Sequence, residues 1–268
     1  MTRVYKGYLA FKFRQHRVTT AFVTLGIIFF GVVMLLAYSA FDLAEMIQGA
    51  QAGQDIMKAM AGARGALTFD IAAFLGMVWR HPLVLVLVIG FAISLGSDFA
   101  ASEIGEKTAD LIFARPSTRP RLLYNHLFVT SGLLLAMISA FSLVVYSGAS
   151  ALGLEPPSPR LFVQASVQYF VFVLAVLGVA YLAGALASHA KTVLGVVGGL
   201  FSVMYAVELV GGLWTTAEPL LPFSLFTYLT PARALVGDQA AWTDALTLLA
   251  VAVVTLAATH VLMRRRDL

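Results

Sequence analysis

In a chain that is 60% hydrophobic and only 12% charged, the residues able to do chemistry are few enough to take one at a time. Glu208, in MYAVELVGG, is an acid inside an apolar run. Such groups are costly in a lipid-like setting and tend to face a bundle interior. Two readings stay open for it: a glutamate snorkelling from near the end of its run, or a residue lining a polar route. Asp98 falls where another apolar run meets polar sequence, and an interfacial, structural role is expected for it. His81, His126, His189 and His260 are scattered without His-x-x-x-His or His-Glu spacing, so no metal site is expected. Ser188 and His189 are adjacent, which makes their side chains diverge on a helix, and no G-x-S-x-G occurs, so catalysis is not expected. Gly105-Glu106-Lys107-Thr108 resembles the tail of a phosphate-binding loop, but Glu106 separates the glycine from the lysine. With no cysteine, disulfides and thiolate metal sites are excluded.

One stretch concentrates charge: SEIGEKTADLIFARPSTRPR, residues 102–121. At about 100° per residue, Glu103, Glu106 and Asp110 share a narrow sector, and Ala101, Ile104, Thr108, Leu111 and Ile112 form an apolar sector beside it. The pattern predicts an amphipathic helix over 101–114. Pro116 disfavours helix at Arg115, and Ser117-Thr118-Arg119-Pro120 makes a turn. The result is a short, stiff knuckle. Read from these features alone, it is either a solvated connector or a surface that docks into the groove of another protein.

These groups must be positioned by elements set in a membrane. A mean hydropathy of +0.87 and so low a charge fraction mark a polytopic membrane protein. Apolar runs of about 20 residues, long enough to cross the hydrocarbon as helix, lie at 18–40, 82–101, 122–148, 161–187, 193–214 and 241–263. Lipid obliges each run to satisfy its own backbone, so the fold class is all-α, a polytopic membrane protein with six transmembrane helices in one domain, 1–268. The first run lacks a small-residue cleavage site and reads as a retained span. The run at 66–79 is too short to span and contains Asp70; an interfacial or core-packed helix is expected. Pro222 and Pro231 break 220–236, so 215–240 is expected as a re-entrant or surface-lying segment.

Orientation follows from the bases. Arg3, Lys6, Lys12, Arg14 and Arg17, then Lys107, Arg115, Arg119 and Arg121, then Lys191, then Arg264 to Arg266 share one side when the spans are counted. The positive-inside rule makes that side cytoplasmic, with both termini on it. The opposite side carries Lys58, Arg64, Arg80, Arg160 and Arg233 among several acids. The net charge of +4 is thus explained by topology, with no nucleic-acid partner called for. Residues 1–17 interleave aromatics with five bases and no acid, the composition of an interfacial elbow helix on an anionic leaflet, in contact with membrane lipid. Gly195 with Gly199, and Gly184 with Ser188, are small-xxx-small pairs suited to close helix packing.

The 102–121 stretch resembles the first cytoplasmic loop of the type-2 ABC transporter permeases, R-E-x-G-T-L-E-x-L-L-x-x-P-x-S-R, through Glu103, Glu106, Thr108, Asp110, Leu111, Pro116 and Arg119. Lys107 departs from the usual glycine, and Asn125-His126 stands where Gly-Lys is common. MRRRDL at the C-terminus and LFTYLTPARAL before the last span are similar to the same family. The resemblance implies a permease subunit of an ABC exporter in the inner membrane. It implies a coupling helix at 101–114, with Glu103, Ile104, Glu106, Lys107, Thr108, Asp110, Leu111, Arg115, Pro116 and Arg119 as the partner-binding set. It further implies two copies of an ATP-binding subunit that hold ATP and magnesium, leaving no cofactor in this chain, and a second permease copy or paralogue. A pathway lined by the first, second and fifth spans would follow, with Glu208 a possible member. The apolar spans permit a lipid, a drug or a peptide as cargo. The rival readings are a membrane scaffold that recruits a cytosolic protein through the knuckle, or an intramembrane enzyme.

Overall fold

A computed structural model describes residues 6–40, 70–99 and 119–265, which are helical almost throughout and contain no strand. The elements are α1 (Lys6–Ala40), α2 (Ile71–Arg80), α3 (Pro82–Ser97), α4 (Arg119–Ala151), α5 (Pro159–Leu186), α6 (Ala190–Leu213), the 3₁₀ turns η1 (Thr215–Phe223) and η2 (Leu225–Tyr228), α7 (Pro231–Leu235) and α8 (Ala240–Arg265). Among the described residues, α1, α4, α5, α6 and α8 are each long and apolar enough to cross a membrane, and α2 with α3 make a sixth crossing if taken as one bent span.

Helix ends follow local chemistry. Asp70 caps α2, its Oδ1 accepting from the Ala73 N–H at 2.9 Å. Pro82 then stops α2, because proline pushes the preceding His81 to an extended backbone (ψ 133°). The same proline starts α3, where a missing N–H costs nothing. The two helices therefore meet at a bend of 42°. Residues 72–80 are all buried, so of the two expectations for this short segment the core-packed one describes it. Pro159 opens α5 in the same way, and Gly153 (φ +68°) supports the turn that leaves α4.

Helix α5 is the central post: α8 and α3 pack along it, and α7, α4 and α6 touch it. Helix α1 lies outside this core and packs on α4. Small residues bring α3 against α5 closely. A Cβ built on Gly96 falls 2.5 Å from the Ala180 Cβ, and one built on Gly184 falls 3.3 Å from the Gly96 carbonyl oxygen. Gly184 thus serves packing within the protomer, whereas among the described residues nothing lies within 4 Å of the Cβ positions of Gly195 and Gly199 on α6.

The segment expected as an interfacial elbow is helical from Lys6 and runs into the first span without interruption. No proline stands between Lys6 and Ala40 to break it. At 1.5 Å per residue this helix is about 52 Å long, well beyond a hydrocarbon thickness of about 30 Å. The second span ends at Ser97, ahead of the boundary at 101 that hydropathy gives, so Asp98 lies just past the helix. The segment from η2 to α7 is not surface-lying: Phe226, Leu229, Thr230, Ala232, Ala234 and Leu235 are buried in the bundle. Only Leu221 is buried within η1.

Candidate functional site

Two charged clusters sit at opposite ends of the bundle. At one end, α2 ends in Arg80 and α6 places Glu208 beside it, with side chains 1% and 3% exposed. The Arg80 Nη2 donates to Glu208 Oε1 at 3.1 Å, and Nη1 donates to the carbonyls of Phe226 (3.0 Å) and Leu229. The Thr227 hydroxyl donates to Glu208 Oε2 at 2.7 Å. A buried charge is tolerable only when paired and fully hydrogen-bonded. Here one guanidinium holds the acid with Nη2 and the carbonyls of Phe226 and Leu229 with Nη1. Glu208 is thus buried and paired within this chain and does not extend to its surface.

Nearby, α3 and α6 enclose a cavity of about 290 Å³ lined by Leu85, Ile89, Ile93, Phe201, Tyr205 and Phe226 among others. Its lining is apolar apart from hydroxyls. Ser202 donates to its own helix at the Gly198 carbonyl (2.9 Å), while the buried Tyr205 hydroxyl has no hydrogen-bond partner among the described residues. Phe226 connects cavity and charge pair, since its ring lines the cavity and its carbonyl accepts from Arg80.

At the other end, where α1 begins, α3 ends and α4 begins, Asp98 is a hub. Lys12 Nζ donates to its Oδ2 at 2.7 Å, Gln15 Nε2 to its Oδ1 at 3.2 Å, and His16 Nε2 lies 3.2 Å from Oδ2. His126 Nε2 lies 3.6 Å from the same Oδ2, an ion-pair distance too long for a hydrogen bond. Burial by itself would raise the Asp98 carboxyl, but the His126 and His16 imidazoles and the Lys12 ammonium outweigh it and hold the group well below the usual carboxylate range. Asp98 is therefore an anion. Behind it, His126 Nδ1 contacts the Tyr181 hydroxyl, which lies 3.0 Å from Thr130 Oγ1. Near the opposite end, the exposed Asp238 carboxyl is also held low, by the Ala240 backbone N–H and by Arg233 at 2.8 Å.

Of the residues read from sequence as partner-binding, Glu103, Ile104, Glu106, Lys107, Thr108, Asp110, Leu111, Arg115 and Pro116 lie outside the described residues, and Arg119 is the first residue of α4. The structure brings together others that spacing did not connect. Arg80 and Glu208 are 128 positions apart, and Lys12, Asp98 and His126 come from separate helices. The only sequence signal was that each is a charged or ionisable group beside or inside an apolar run.

The family model described as "Multidrug efflux system permease Rv1217c, C-terminal domain" matches residues 6–264. The chain belongs to this permease family. No curated protein and no solved structure gives a match. Permease membership accounts for the architecture: a membrane bundle whose polar groups are pairs and hubs between helices, with an apolar cavity between two spans. It points to a transporter rather than to a classical enzyme.

Proposed function

We propose that the chain is the membrane-spanning half of a type-2 ABC exporter, and that it moves lipophilic, drug-sized molecules out of the cell. The observation that carries this reading is the permease-family match over 6–264, which contains the 102–121 stretch with its ABC-like pattern. In this reading two copies of a separate subunit bind ATP and magnesium and grip the coupling helix at 101–114 through Glu103, Glu106, Asp110 and their neighbours. Asp98, four residues before Ser102, ties the root of that loop to α1 and α4, which supports a route for displacement into the bundle.

A second copy completes the pathway. Helix α6 buries only Val193, Val197, Phe201, Glu208 and Gly211 within the protomer, and Gly195 and Gly199 face open space, which suits a partner helix. The cavity between α3 and α6 then receives the cargo, and the Arg80–Glu208 pair next to it closes the outer end of the route. Both termini lie on the cytoplasmic side of the inner membrane, supported by the bases Lys12, Arg14, Arg17, Lys191 and Arg264 at one end of the bundle.

The test is a pull-down on this chain from its native membranes, then co-expression with any captured ABC ATP-binding subunit, purification and reconstitution. The reading requires a complex that couples ATP hydrolysis to efflux of a lipophilic dye, and it requires that the double variant E103K/E106K lose the ATPase while keeping its helical content. A folded chain that captures no nucleotide-binding subunit and supports no ATP-dependent efflux would overturn it.

A further inference from the structure

We propose that His16, Asp98 and His126 form a site for a divalent transition-metal ion of the zinc type, which joins α1, the end of α3 and α4. The starting point is a count of protons. Thr130 has one hydroxyl proton, which in one arrangement goes to its own helix, at the His126 carbonyl 3.0 Å away. In that arrangement Thr130 Oγ1 accepts from the Tyr181 hydroxyl 3.0 Å away; in the alternative one Thr130 donates to Tyr181. In the first arrangement the Tyr181 oxygen accepts from His126 Nδ1–H; in the second Nε2 carries the proton towards Asp98 and gives it up when a metal ion binds. With Nδ1 protonated, the neutral imidazole presents Nε2 as a bare lone pair.

His126 Nε2 has no hydrogen-bond partner among the described residues, belongs to a ring that is 0% exposed, and lies 3.6 Å from Asp98 Oδ2. This buried place already holds a cation, the Lys12 ammonium 2.7 Å from Oδ2, and a metal ion with the two imidazoles as further ligands would take over that role. His16 Nε2 adds a third donor 3.2 Å from the same oxygen, and the three ligand atoms all lie within 4.8 Å of one another. A tetrahedral ion with bonds of about 2.0–2.2 Å separates its ligands by roughly 3.3–3.6 Å, and the two measured edges, 3.2 and 3.6 Å, are close to the ends of that range. Tyr181 and Thr130 fix the ring of His126 as outer partners of a metal-bound histidine do. Gln15 Nε2 donates to Oδ1 at 3.2 Å and lies 3.4 Å from Oδ2, so it steadies the carboxylate beside the ion. Two imidazoles and one carboxylate suit zinc, cobalt or nickel rather than magnesium or calcium.

Lys12 is the resident competitor. Its ammonium sits 2.7 Å from Oδ2, so the ion enters only as this side chain withdraws. Metal binding and the Lys12 contact are alternative states of one hub, and the metal-bound state fixes α1, the end of α3 and α4 together.

The experiment uses the full chain without a polyhistidine tag, purified in detergent and titrated with Co²⁺, read by the visible d–d absorption of a tetrahedral ion, then with Zn²⁺ in competition. Saturable one-to-one binding is expected. Lys12→Met should tighten it at least tenfold by removing the competitor, and Tyr181→Phe should weaken it by about 10-fold or more while leaving the ligands in place. His16→Gln, on the partly exposed face of α1, should abolish the band, and it decides the matter if His126→Gln fails to fold. Absence of a saturable band in both the native chain and the Lys12→Met variant overturns the proposal. So does a band unchanged in His16→Gln.

Discussion

Arg80 and Glu208, 128 residues apart in the chain, meet at 3.1 Å in the interior of the bundle, and the same guanidinium holds the backbone carbonyls of Phe226 and Leu229. One side chain thus closes both an ion pair and the hydrogen-bond requirements of a non-helical segment inside a membrane protein. Irregular backbone at this depth needs such satisfaction from within the protein.

Removing one member should leave the other charged, buried and alone. Glu208→Leu and Arg80→Leu are each expected to lower stability by about 3–5 kcal/mol. Arg80→Leu should be the worse, because it also frees the carbonyls of η2. The double variant should recover part of the loss relative to the sum. Thermal unfolding in detergent measures all three, and strict additivity would contradict a direct pair.

Packing at the α3–α5 crossing gives a second expectation. Gly96→Val places atoms where Ala180 already stands, 2.5 Å from the added Cβ, and should cost about 1–3 kcal/mol. Gly90→Ala on the same helix meets nothing within 4 Å and should be neutral or slightly stabilising, by up to about 1 kcal/mol. The comparison of the two melting temperatures separates crowding from helix propensity.

The open face of α6 supplies the third. Gly195→Leu with Gly199→Leu adds bulk where the protomer has no neighbour, so the isolated chain should melt as before. Pairing of two copies should be lost, as read by cross-linking in native membranes. A lowered melting temperature of the monomer would place these glycines inside the protomer and remove them from any interface.

Tyr205 carries the fourth. Its hydroxyl is buried beside the cavity with no hydrogen bond among the described residues, so Tyr205→Phe should change stability by less than about 1 kcal/mol. Efflux of a cargo that bears a hydrogen-bond acceptor should fall, while efflux of a purely apolar one should hold. Equal effects on both cargoes would remove the hydroxyl from recognition.

The sequence disclosed the helical class and the lipid setting because lipid imposes a rule on every residue of a span, and runs such as those at 122–148 and 161–187 obey it without outside help. Glu208 was visible for the same reason, as an exception to that rule. Its partner was not. Arg80 reads as a base on the outer side, and only the 42° bend at Pro82, with α2 buried on all sides, turns it inward. The Asp98 hub was hidden more deeply. Asp98 reads as an interfacial acid, His126 as one of several scattered histidines, within the run at 122–148, and Lys12 as a base of the N-terminal segment, because the contact depends on how α1 lies along α4 and no spacing within one helix encodes that. The N-terminal segment is helical as its composition suggests, and its continuity with the first span has a local reason: a helix ends only where something ends it, and 6–17 contains no breaker.

The tight crossing of Gly96 over Ala180 and Gly184 has a mechanical corollary. Backbones that touch resist sliding past one another, yet small side chains leave them free to roll. A force applied to the chain just beyond Ser97 would therefore turn α3 about this fulcrum instead of drawing it lengthwise, and the far end of α3, at Pro82, would swing in the opposite sense.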